Sequence, residues 1–100
     1  MSRVVTRSIT AENQFTDSIR LTGLFDLSIA GTFAATVTVQ RSYDNSTWRD
    51  VDAFTAPVEM TGTQGEIAYY RAGVKTGGFT SGTAVVTLAG NSGIDYTPTR

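Results

Sequence analysis

The chain has 100 residues, enough for one domain with one core and too few for two. Its 8 basic and 9 acidic side chains leave a net charge of −1, which excludes a general affinity for nucleic-acid backbones or anionic membranes. Cysteine and histidine are both absent, which removes disulfides, thiolate or imidazole metal sites and the commonest neutral-pH base.

Residues 1–13 place Arg3 and Arg7 around Val4, Val5 and Ile9 and read as an N-terminal arm or an edge strand. Arg3, Val4, Val5, Arg7 and Ile9 are the candidate subunit or partner contacts. The opening segment lacks the apolar stretch of a secretory signal and no run matches a membrane span, so a soluble, cytoplasmically made chain is expected. A β-sandwich domain is expected over 14–89. In QFTDSIRL, Phe15, Ile19 and Leu21 share odd positions; Phe15 and Ile19 alone would also fit one helical turn, but the threonines and the Thr22-Gly23 break favour a strand.

LFDLSIAG alternates Phe25, Leu27 and Ile29 against Asp26, Ser28 and Ala30. FAATVTVQRSY then sets Phe33, Ala35, Val37, Val39 and Tyr43 against Thr36, Thr38, Gln40 and Ser42, the pattern of a strand with one wet face. Gly31-Thr32 between them suits a tight turn, which predicts a hairpin of 24–30 with 33–43. Asp44 and Asn45 supply turn chemistry, accepting backbone hydrogen bonds and tolerating left-handed conformations. Trp48 is expected to lie across the mouth of the core.

In EIAYYRAGVK, Ala68, Tyr70, Ala72 and Val74 oppose Tyr69, Arg71 and Lys75. KTGGFTSGT reads as a loop, and TAVVTLAG turns Ala84, Val86 and Leu88 inward. Residues 90–100 read as a polar tail. Short strands between Gly- or Asn-marked turns predict an all-β fold. The expectation is a single antiparallel sandwich, immunoglobulin-like or jelly-roll, of about seven or eight strands with little or no helix.

Ser42, Asp44, Thr47 and Trp48 approach the Asp box of sialidase-type propellers. The box is one residue short, has Ser46 where glycine belongs, and occurs once where a propeller needs several blades. A turn accounts for these residues. Asp50 and Asp52, two apart on a strand, are expected to share its wet face; a glycosidase needs carboxylates flanking a cleft that so small a sandwich does not supply. With Asp44 they lack the glycine-punctuated spacing of a calcium loop. Asn45-Ser46-Thr47 matches the glycosylation triplet without a secretory signal. The chain is therefore expected to be non-enzymatic, with no cofactor and no metal. Trp48, Tyr69, Phe79 and Tyr96 are the candidate surface or partner-binding aromatics, since such rings offer contact area at small entropy cost.

The segments LFDLSIAGTFAATVTVQRSYDNSTWRDVDAFTAP and AYYRAGVKTGGFTSGTAVVTL together resemble small β-sandwich proteins encoded among the structural genes of tailed bacteriophages. The likeness spans residues 24–88 and is carried by Ser28 to Phe33, Val37 to Val51, Phe54 to Pro57 and Tyr70 to Thr83. It implies a virion protein made in the host cytoplasm, with the outer capsid surface as its place. It further implies a capsid decoration or cement role, in which a homo-oligomer, with a trimer favoured, binds the major capsid protein. The alternative is a tail-associated or head-surface adhesion module that binds a host glycan or protein, with Trp48 and exposed tyrosines as stacking platforms.

Overall fold

The computed structural model describes residues 2–91; Tyr96 and the rest of 92–100 lie outside them. Seven strands follow in order: β1 Ser2–Ile9, β2 Gln14–Phe15, β3 Ile19–Ala35, β4 Val37–Ser42, β5 Arg49–Phe54, β6 Val58–Val74 and β7 Phe79–Asn91. The described residues contain no helix, so the all-β expectation holds. All pairings are antiparallel, in one hydrogen-bonded sheet of order β1-β7-β3-β6-β4-β5, with β2 added beside β6.

One face of this sheet is fully buried. Ile19, Leu21, Leu27 and Ile29 of β3, Ala68, Tyr70, Ala72 and Val74 of β6, and Ala84, Val86 and Leu88 of β7 form the core with Val37, Val39 and Ile9. With no helix to cover it, a sheet can bury one face this completely only by folding over itself. The corner lies where β3 and β6 change register. Leu21 pairs with Ala68 but Gly23 pairs with Gln64, so residues 65–67 of β6 stand against a single residue of β3. Gly23 takes φ 74 there, a conformation costly to any residue with a Cβ. Beyond this corner β6 pairs with β4 through 69–73, while its first half, 58–64, pairs with β3 alone.

The predicted turn at Gly31-Thr32 does not form. β3 continues through it, and Gly31 pairs with Ala84 of β7 while Phe33 pairs with Gly82. Gly31 (φ 100) and Gly82 (φ 90) are an in-strand kink. A Cβ on Gly31 would collide with the Thr83 carbonyl oxygen, and one on Gly82 with that of Thr32. The chain instead changes layer at Thr36, whose N–H donates to the Gly78 carbonyl at 2.8 Å.

The wet face predicted for 33–43 is also corrected. Thr38, Gln40 and Ser42 are only 4%, 7% and 2% exposed, so β4 is covered on both sides, whereas Tyr43 lies beyond its end and is exposed. Polar residues were placed outward by alternation, but alternation cannot reveal what lies over them. KTGGFTSGT is a short turn rather than a loop throughout, since β7 begins at Phe79.

Candidate interaction surfaces

Among the described residues β1 is the edge of the sheet, paired on one side only and in unbroken register from Ser2–Asn91 to Ile9–Ala84. The five residues singled out from sequence differ in exposure. Arg3, Val4 and Arg7 are exposed, Val5 is half-buried against the core, and Ile9 is fully buried. Ile9 is therefore a core residue and not a surface contact, its side chain turned inward where β1 pairs with Ala84 of β7. Arg7 is partly engaged within its own chain, with Nη1 donating to the Phe15 carbonyl at 3.0 Å.

The outward side of β1 belongs to a face shared with β7 and β3. Val4 stands in a row with Ala89 and Asp26, Thr6 with Thr87 and Ser28, and Ser8 with Val85 and Ala30. Thr6 and Thr87 share a hydroxyl–hydroxyl hydrogen bond of 2.8 Å. The two carboxylates beside these rows are held by hydroxyls: Ser28 donates to Glu59 at 2.6 Å and Thr61 to Asp26 at 3.0 Å. Val4 and Leu24, 63% and 66% exposed, flank a cavity of about 460 Å³ that Arg3 and Asp26 also line. The opposite edge of the sheet, β5, is six residues long and irregular.

Over the outer face of β4 the structure builds a polar relay. The Arg71 guanidinium lies 4.4 Å from the Trp48 ring centroid and 4.5 Å from that of Phe15, both within cation–π range. Its Nε donates to Gln40 Oε1 at 2.8 Å, and Gln40 Nε2 donates to Asp50 at 2.8 Å. Asp50 also receives Lys75, the one ion pair among the described residues. The Lys75 contact and then the Gln40 bond hold the Asp50 carboxyl below its usual range, while burial pulls Arg71 down. Trp48 thus does not close the mouth of the core; it roofs buried Gln40 through Arg71. Its pairing partner was legible in part, because Gln40 and Arg71 both fell on outward positions, but their register was not.

The Asp44 turn matches its expected chemistry. Asp44 Oδ1 accepts from the Thr47 N–H at 2.8 Å, the Ser46 N–H at 2.9 Å and the Ser42 hydroxyl at 2.8 Å, and Asn45 takes φ 60. Those bonds, led by Thr47, then Ser42 and Ser46, lower its pKa to about 2. A lowered carboxyl stabilises the fold fully above its unfolded pKa, and that contribution is lost as pH falls through the folded value. Stability should therefore decline between about pH 4 and pH 2, and Asp44→Asn should flatten that decline in denaturation curves taken across this window. An equally steep decline in the variant would assign the acid sensitivity elsewhere.

Asp50 and Asp52 do not share a face. β5 bulges at Val51, so that Asp52 pairs with Val39 while Asp50 pairs with Gln40. Asp52 and Val51 both line a cavity of about 160 Å³ at the mouth of the sandwich, with Leu27, Val39, Met60 and Tyr70 among its walls. Of the candidate aromatics, Tyr69 is half-buried on the outer side of β6, and Phe79 is half-buried with part of its ring packed against the core. No group of three or more metal-binding side chains gathers among the described residues.

Among the described residues the surfaces define an all-β module whose distinctive features are one regular open edge, one hydroxyl-rich face and one small cavity beside β5. No protein-family model, curated protein or solved structure matches the chain.

Proposed function

We propose that this protein is a non-enzymatic binding module that works by association through the β1 edge. Within that class, the reading favoured is a bacteriophage capsid decoration protein, self-associating, with a trimer expected, and binding the major capsid protein on the outer head surface. The likeness of residues 24–88 to small tailed-phage sandwich proteins supports the virion setting.

The observation that carries the association is the contrast between the two edges of the sheet. Open strands offer unpaired N–H and C=O groups to other chains, and proteins commonly blunt them with lysine, proline, bulges or brevity. β5 is short and bulged, whereas β1 is eight residues long, regular, and free of lysine and proline; its charges are Arg3 and Arg7, the latter held by the Phe15 carbonyl. The exposed Val4 adds apolar area beside it, and Arg3 adds a cation for a partner carboxylate.

Val4→Lys with Thr6→Lys alters two exposed positions and leaves the core untouched. The double variant should be folded by its spectrum, monomeric by sedimentation, and at least about tenfold weaker in co-sedimentation with undecorated capsids. A variant that keeps the wild-type oligomer and decorates capsids normally would sink the proposal. The glycan-binding alternative gains no matching observation, since the Trp48 ring is engaged by Arg71 of its own chain.

A further inference from the structure

We infer that the mouth cavity beside β5 is a binding site for an alkylammonium group, of the kind carried by a lysine side chain of a partner protein. The inference stands on this cavity alone and is independent of the virion reading.

Three features converge. The first is the bulge. In a regular strand Val51 and Asp52 would point to opposite faces, but the extra residue in β5 turns both into the same cavity, and bulges characteristically re-aim side chains at working sites. The second is the wall. Leu27, Val39, Val51 and Met60 supply aliphatic surface, and Val51 and Met60 are 40% and 39% exposed, an area a ligand stem would cover. Phe25 and Tyr70 complete it with ring centroids 4.8 Å apart. The Phe25 ring occupies the space where a side chain on Gly62 would stand, since a Cβ there would come within 2.6 Å of its Cζ.

The third is the charge. Asp52 is exposed at the rim, it accepts a hydrogen bond from the neighbouring Ala53 N–H, and among the described residues no lysine or arginine lies within ion-pair distance. The other polar side chains in the wall are neutral: Thr63, and Tyr70, whose hydroxyl already donates to Gln64 and also faces Arg41. An apolar slot with a single free carboxylate suits a compact ammonium on a flexible aliphatic stem. A guanidinium, with five donors in a fixed plane, would leave most of them without acceptors.

The test uses the whole protein, labelled with ¹⁵N and titrated with n-butylammonium chloride, with n-butanol as the uncharged probe. Amide shifts are expected at Val51, Asp52, Met60, Gly62 and Thr63, and butylammonium should bind more tightly than butanol. Asp52→Asn should weaken butylammonium about threefold to fivefold, the scale of an exposed ion pair, and leave butanol unchanged. In the wild type, added salt should weaken butylammonium alone. Shifts confined to other surfaces, equal binding of the two probes, or salt-insensitive butylammonium binding would each overturn the inference. The salt arm needs no variant and so remains decisive if Asp52→Asn perturbs the fold.

Discussion

Gly31→Ala should destabilise the protein by about 3–5 kcal/mol, measured by equilibrium urea unfolding. Two costs combine. A residue with a Cβ at φ 100 is strained by about 1–3 kcal/mol. The new methyl also meets the Thr83 carbonyl oxygen, which is backbone in the adjoining strand and has no rotamer to yield. Gly77→Ala separates the two terms, because Gly77 has a similar φ of 83 with open space around it. It should lose only about 1 kcal/mol. Equal losses for the two variants would show that the β3–β7 ladder accommodates the methyl.

Leu88→Ala should cost about 2–5 kcal/mol with the denaturant slope unchanged. Leu88 is fully buried on β7 and pairs with Val5 of β1 on one side and Leu27 of β3 on the other. Truncating it opens a void between three strands whose backbones are fixed by the ladders on either side, so collapse around the missing atoms is limited. That is a large share of the roughly 5–15 kcal/mol that stabilises a domain, and the melting temperature should fall by at least about 10 °C. A loss below about 1 kcal/mol would mean that β1 shifts to fill the space.

The inward residues of β6 and β7 were legible because their alternation is uninterrupted: Ala68 to Val74 and Ala84 to Leu88 are buried at every second position. The Asp44 turn was legible for the same local reason, since its acceptor and its donors lie within five residues of one another. What failed depended on distant partners. A glycine with positive φ serves a hairpin turn or an in-strand kink, and only the pairing of Gly31 with Ala84, far along the chain on β7, makes it the latter. The bulge at Val51 defeats the two-residue period that would set Asp50 and Asp52 side by side. The covering of Gln40 depends on Arg71, itself stacked on Trp48, and both arrive from other parts of the chain. Ile9 was assigned to the surface because its segment is short and basic, yet pairing with β7 commits it to the core.

The corner at Gly23 has a mechanical consequence. β3 and β6, seventeen residues each, pass through it and contribute hydrogen bonds on both sides of the fold. Neither half can open without stripping strands from the other, so the molecule has no subdomain able to yield by itself. A load applied at β1 is passed strand by strand through β7, β3, β6 and β4 to β5. A partner held on the open edge and a side chain held in the mouth would therefore be joined by one continuous ladder, and the protein would act between them as a stiff tie.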